Sequence, residues 1–146
     1  MPSKPFEILV VENNPADARL TVEAFKEAGL HKGILQLPDG DQALAYLRRQ
    51  GEYSKASLPH LIFLDLHLPK IPGLVVLAEI KENPALKIIP VVVISGSHDP
   101  GEVRKAYELH ASCFIYKSAD LHEFLSFIRC CYEFWATVVT LPAVEN

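Results

Sequence analysis

Short apolar runs alternate with amphipathic stretches from one end of the chain to the other. Ile8-Leu9-Val10-Val11 is a β-branched run, the pattern of a buried strand. It gives way to Glu12-Asn13-Asn14-Pro15, where an asparagine can cap a helix and Pro15 takes the first helical position. That helix continues through Leu20, Val22 and Phe25 and stops near Gly29. Ile34-Leu35-Gln36-Leu37 predicts a second strand, and Asp41 to Arg49 a second helix with Ala43, Leu44 and Leu47 on its inner face. After a loop over 52–59, Leu61-Ile62-Phe63-Leu64 predicts a fully buried third strand ending at Asp65. Leu74 to Asn83 predicts a helix stopped by Pro84, and Val91-Val92-Val93-Ile94 a fourth strand ending at Ser95-Gly96. A helix over 101–109 and the strand Cys113-Phe114-Ile115-Tyr116, ending at Lys117, follow. The last helix begins near Ala119 and runs past Phe134.

Five βα units with continuous apolar strands imply a parallel sheet covered by helices on both faces. Right-handed crossovers then make it a doubly wound five-stranded α/β sandwich. In such sheets the chemistry collects at the carboxyl ends of the strands. Those ends carry Glu12-Asn13, Asp65, Ser95 and Lys117. Each is unremarkable alone, since an Asp after a strand is usually a turn residue and a lone Lys usually a surface one. Four such groups at four strand ends form a set with a common chemistry. Carboxylate and amide oxygens suit Mg²⁺, and a lysine with a hydroxyl suits the oxygens of a transferring phosphoryl group. Asp65, directly after the most buried strand, is the candidate nucleophile toward phosphorus, giving an acyl phosphate. Glu12 would hold a bridging divalent cation, Lys117 would pair with phosphoryl oxygens, and Ser95 would donate a hydrogen bond to one.

Composition narrows the alternatives. The 146 residues are 49% hydrophobic and 22% charged, which excludes a disordered polymer. The net charge is −4 with no basic run, so nucleic acid is not an expected direct partner. No stretch of the chain has the length and apolarity of a membrane span, and the start lacks a signal-peptide pattern. Three cysteines, two of them adjacent at Cys130-Cys131, do not form a disulfide framework, so a cytoplasmic location is expected. The six histidines lack zinc-ligand spacing, and no glycine-rich nucleotide loop occurs.

Val10-Val11-Glu12-Asn13-Asn14-Pro15, Leu64-Asp65-Leu66-His67-Leu68-Pro69 with Gly73, Val91 to Ser95, and Lys117 together resemble the receiver domain of two-component response regulators. Val76 to Pro84, Ala106-Tyr107-Glu108-Leu109-His110 and the ending Phe134-Trp135 through Leu141-Pro142 resemble, more narrowly, the single-domain regulators paired with bacterial and cyanobacterial phytochromes. The resemblance implies the flavodoxin-like (βα)5 receiver fold over residues 1–146, with a core at about 7–134 and a C-terminal extension at about 135–146. It implies phosphoryl transfer from a sensor histidine kinase, of phytochrome type, to Asp65. It further implies Mg²⁺ held by Glu12, Asn13, Asp65 and the backbone carbonyl of His67, a switch hydroxyl at Ser95 and a switch aromatic at Phe114.

Two positions depart from the family pattern. Asn13 stands where a second acid is usual, and losing that charge costs on the order of one to a few kcal/mol of cation binding, so weaker Mg²⁺ affinity is expected. Ser118 stands where a proline follows the lysine, so the Lys117-Ser118 bond is expected to be trans.

The last helix carries Leu121, Phe124, Ile128, Cys131, Trp135 and Val138 as a stripe expected to face the sheet, with Cys130 and Cys131 as core thiols. Phe127, Phe134 and Val139 lie off that stripe. With Leu141 and Pro142, the off-stripe face and tail suggest a homodimer contact, against a tail folded back on its own domain. With no output domain expected after the receiver, the activity expected is a stand-alone phosphoacceptor that acts through altered protein association, rather than an enzyme beyond its own phosphoryl transfer and slow autodephosphorylation. The alternative is a receiver-like protein-binding module that works without phosphorylation, suggested by Asn13. An aspartate-nucleophile phosphatase is disfavoured, because His67 occupies the place of its acid/base aspartate.

Overall fold

Strands of four or five consecutive apolar residues leave no side for water and need cover on both faces. In the computed structural model, which describes residues 6–117 and 119–143, that cover is complete for the three central strands. β1 (Ile8–Val11), β3 (Leu61–Asp65) and β4 (Val91–Ser95) are buried from end to end, whereas β2 (Ile34–Leu37) and β5 (Cys113–Tyr116) at the sheet edges are partly exposed. All pair in parallel in the order β2-β1-β3-β4-β5. Helices α1 (Pro15–Glu27), α2 (Gly40–Leu47), α3 (Gly73–Glu82), α4 (Pro100–Glu108) and α5 (Leu121–Glu133) alternate with them. This is the expected flavodoxin-like (βα)5 fold, with element ends within about two residues of the sequence reading, the usual scatter at frayed termini. The Lys117-Ser118 bond lies outside the described residues.

Alternation along each strand divides the core into two layers. Leu9, Val11, Ile62, Leu64, Val91 and Val93 pack with Ala43, Leu44 and Leu47 of α2, Val76, Leu77 and Ile80 of α3, and Ala106 of α4. Ile8, Val10, Leu61, Phe63, Val92 and Ile94 pack with Ala24 and Phe25 of α1 and Phe124, Ile128 and Tyr132 of α5. In this second layer Phe25 meets Phe63 edge-on at 5.0 Å and Tyr132 at 5.7 Å. The helices are held unequally: α4 buries Ala106 alone, where α1, α2 and α3 each bury four residues.

The inner stripe of α5 needs correction. Phe124 and Ile128 are buried as expected, but Leu121 is 54% exposed at the helix start and Val138 is 70% exposed. Tyr132 is buried instead, filling the space between Phe25 and Phe6. After Glu133 the chain widens into a π turn over Phe134–Val138. A π turn takes more residues per revolution, so the α-helical spacing that would have brought Val138 inward no longer applies. Cys130 also points outward, and of the adjacent pair only Cys131 is turned toward the sheet.

One glycine sets the approach of α3 to the site. A side chain at Gly73 would bring Cβ to 2.4 Å from the Asp65 carbonyl oxygen and 2.5 Å from Leu66 Cα. Gly73 N–H donates to Leu66 O at 3.0 Å, so the helix start lies directly against the backbone that carries Asp65.

Candidate functional site

The polar groups come together because the apolar runs end at one level. Val11 pairs with Leu64, Asp65 with Ile94, and Ser95 with Tyr116, so Glu12, Asp65, Ser95 and Lys117 leave the sheet along one edge. Lys117 N–H donates to Ser95 O at 2.7 Å and fixes the last strand end to the others. Strand order reverses between β1 and β3, and a crevice opens at that point in doubly wound sheets. A cavity of about 270 Å³ lies there, lined by Glu12, Asn13, Asn14, Asp17, Asp65, His67, Gly96 and Lys117.

Lys117 is the centre of the cluster. Its Nζ lies 2.5 Å from Asp65 Oδ2, 2.7 Å from Glu12 Oε1 and 2.9 Å from Asp17 Oδ2. The second oxygens are held by backbone: Asp65 Oδ1 accepts from His67 N–H at 2.7 Å, and Glu12 Oε2 from Asn14 N–H at 3.1 Å. Asp17 is the member that the sequence reading missed. Asn14 caps α1 by accepting from Ala16 and Asp17 N–H, with Pro15 in the first position. Asp17 therefore stands in the first turn, where an acid reads as a partner of the helix dipole. Nothing in its spacing marked it as a partner of the lysine as well.

Burial shapes the titration of both signs. Desolvation pushes the Glu12 carboxyl up to about 7; the Lys117 hydrogen bond opposes this, and the charge of Asp65 adds to it. For Lys117, desolvation acts downward, but hydrogen bonds to Asp65, Glu12 and Asp17 outweigh it and push the ammonium above its ordinary value. A carboxyl raised above its unfolded value takes up a proton on folding. Stability of the metal-free protein therefore falls as pH rises from about 4.5 to about 7.

Ser95 is fully buried and Asn13 is exposed at the mouth of the cavity. Ser95 Oγ lies 3.2 Å from His67 Nε2 and 3.3 Å from Glu102 Oε1, and accepts from Ser97 N–H at 3.0 Å. Phe114 is half-buried on β5 against the α2–α3–α4 layer, and its N–H donates to Tyr107 Oη at 3.2 Å. Phe134 is exposed, Trp135 and Val139 are half-buried, and Leu141 and Pro142 lie at the end of the described chain. The structure thus brings Glu12, Asn13, Asp65, His67 and Lys117 to one cavity with Ser95 beside it. The tail residues lie apart from it.

The donor set fits a hard divalent cation. With Glu12, Asp17, Asp65 and Lys117 all ionised, the cluster carries a net charge of −2. Glu12 and Asp65 carboxylates, the Asn13 amide oxygen and the His67 carbonyl are oxygen ligands of the type Mg²⁺ takes. A ligand must be deprotonated to bind, so a cation held by Glu12 would displace its proton. Apparent Mg²⁺ affinity is expected to rise up to about tenfold per pH unit below pH 7 and to level off above it. Calorimetric titrations from pH 5.5 to 8.5 measure this, and a flat profile would contradict the Glu12 assignment.

A doubly wound sheet with an acidic pocket and a converging lysine at its switch point defines the phosphoacceptor class of signalling domain. The chain belongs to the response regulator receiver domain family, which it matches over residues 8–129. It is a response regulator of two-component signalling, a phosphoacceptor rather than an enzyme in the ordinary sense. It is 46% identical over 139 residues to Response regulator Rcp1 of Synechocystis sp., covering 95% of each chain. Its fold superimposes on the phosphorylated cyanobacterial phytochrome response regulator RcpA with a TM-score of 0.91 at 46% identity, covering 94% of this chain and 99% of that one. The Mn²⁺-bound form of Rcp1 gives the same score and identity over 95% and 100%. Among the described residues no helix is long and apolar enough to cross a membrane.

Proposed function

We propose that this chain receives a phosphoryl group on Asp65 from a phytochrome-type sensor histidine kinase and signals through altered protein association. The observation that carries this reading is the Lys117 ammonium, held by three carboxylates at the switch point of the sheet. An Asp65 oxygen attacks phosphorus, the bond from phosphorus to the donor breaks, and Lys117 turns from Asp65 to the phosphoryl oxygens. Glu12, Asn13, Asp65 and the His67 carbonyl would hold Mg²⁺, which would supply positive charge to offset the repulsion between the acceptor and the incoming group. Ser95 donates to a phosphoryl oxygen, and Phe114 is the aromatic that moves with it. The chain catalyses its own transfer and loses the acyl phosphate slowly by hydrolysis.

The similar solved structures with phytochrome or bacteriophytochrome response regulator in their names support the choice of kinase. Residues 1–146 act as one receiver unit with an extension at about 135–146, and the free thiols Cys113, Cys130 and Cys131 suit a cytoplasmic setting. Incubation with a small phosphodonor and Mg²⁺, followed by intact mass, tests the reading: a single phosphoryl adduct is expected, and none from either the donor or a phosphorylated kinase would leave the phosphorylation-independent module.

The exposed Asn13 withholds one charge from the cation. Asn13→Asp is expected to tighten Mg²⁺ by about tenfold, the equivalent of roughly 1.4 kcal/mol. Calorimetry at fixed pH checks this, and an unchanged affinity would place Asn13 outside the ligand set.

A homodimer is the proposed form. Phe127 and Phe134 are exposed beside an apolar cleft of about 520 Å³ formed by residues 112–116 of the β5 segment with Cys130, Cys131 and Trp135. The tail residues Val139, Leu141 and Pro142 follow directly, so the contact would be continuous. Sedimentation at tens of micromolar is expected to show a dimer in the parent protein. Phe134→Glu is expected to weaken it by about tenfold or more.

A further inference from the structure

The groups around Ser95 form a second cluster outside the acidic cavity, and it involves a residue with no role so far. A serine hydroxyl has one hydrogen to give and two lone pairs to receive with. Ser97 N–H takes one lone pair at 3.0 Å. His67 Nε2 lies 3.2 Å from Ser95 Oγ and 3.4 Å from Glu102 Oε1. A bare ring nitrogen beside a carboxylate oxygen would be repelled, so the proton sits on Nε2 and is shared by those two oxygens. The hydrogen of Ser95 then goes to Glu102 Oε1, 3.3 Å away. The hydroxyl has nothing left to offer.

We propose that Glu102 is a positioning residue that competes with the phosphoryl group on Asp65 for the hydrogen of Ser95. This rests on the reading of Ser95 as a phosphoryl-binding hydroxyl. To donate to a phosphoryl oxygen, Ser95 must withdraw its hydrogen from Glu102. Glu102 stands in the first turn of α4, a helix whose cap residue Asp99 makes no side-chain capping bond and which buries Ala106 alone. The Ser95–Glu102–His67 cluster therefore ties this end of α4 to the sheet edge, while the Phe114–Tyr107 bond ties the other. Losing it loosens the first turn of a helix that has one buried side chain.

The test uses fluoroberyllate with Mg²⁺, a stable mimic of the aspartyl phosphate, titrated calorimetrically into the full chain. Glu102→Ala removes the competitor and is expected to bind fluoroberyllate about three- to tenfold more tightly, the net worth of one ordinary hydrogen bond. Glu102→Gln keeps an acceptor without the charge and is expected to fall between. In a Ser95→Ala background, Glu102→Ala is expected to change nothing, a coupling that a merely structural role would not produce. In the parent chain the amide signals of Glu102 and Val103 are expected to shift on fluoroberyllate binding, and to stay in place in Ser95→Ala. Equal affinity for the parent and Glu102→Ala overturns the proposal, as does the same gain with Ser95 absent. If Ser95→Ala alone binds as tightly as the parent, the reading of Ser95 fails and the proposal with it. Thermal midpoints of all variants within a few degrees exclude unfolding as the cause.

Discussion

Asp65→Asn is expected to abolish the phosphoryl adduct entirely while leaving the fold in place. Asp65 is 4% exposed at the end of β3, and asparagine has nearly its shape. The amide oxygen can still accept from His67 N–H, so the turn after β3 keeps its bond. What is lost is the nucleophile: an amide oxygen lacks the electron density of a carboxylate and forms no acyl phosphate. The variant also lowers the charge of the cluster around Lys117 by one, so Mg²⁺ binding should weaken in parallel. Intact mass after incubation with a phosphodonor decides the matter. An adduct that persists in Asp65→Asn would move the acceptor elsewhere and remove the basis for the roles of Lys117 and Ser95.

The second large effect is on stability. Lys117→Met leaves Glu12, Asp17 and Asp65 facing one another without a cation, and Glu12 and Asp65 have almost no access to water. Removing one partner of a buried pair costs about 3–5 kcal/mol. For a chain of this size, about 3 kcal/mol lowers the thermal midpoint by roughly 6–12 °C. The sign with pH follows from which groups are charged. Lys117 holds the Glu12 carboxyl down to about 7, and without it Glu12 sits higher still, so the deficit of the variant grows as pH rises past 7 and is smaller toward pH 5, where Glu12 is protonated with or without Lys117. Scanning calorimetry in chelator at pH 8 and pH 5 should show the larger deficit at pH 8. Millimolar Mg²⁺ should restore part of it by supplying the missing positive charge. A deficit independent of both pH and Mg²⁺ would mean that Lys117 acts through packing of its stem alone.

What the sequence made legible follows from one rule. An apolar run that stops abruptly in a buried sheet marks its own carboxyl end, so Glu12, Asp65, Ser95 and Lys117 could be placed on one edge before any coordinates. The missing members, Asp17 and Glu102, sit in the first turns of α1 and α4. An acid there has a sufficient local reason in the helix dipole, and nothing in its spacing says that it also faces a lysine or a serine across the loop. The inner face of α5 was partly misread for a geometric reason. Extrapolating a period of 3.6 past Glu133 carried it through a π turn, which puts Val138 in water. Tyr132, polar at its tip, gave no sign that its ring would fill the gap between Phe25 and Phe6.

The unequal hold on the helices has a mechanical consequence. One layer, where α1 and α5 close over Phe25, Phe63 and Tyr132, is a frame: deforming it means opening an aromatic core. On the opposite layer α4 buries a single alanine, is otherwise tied by a few polar contacts, and is the part that can move at lower cost. A partner that grips the frame gains a rigid handle and feels the same surface in either state. A partner that grips α4 feels whether that helix is tied down. The two tasks of a signalling domain, being held and being read, therefore fall on opposite sides of one sheet.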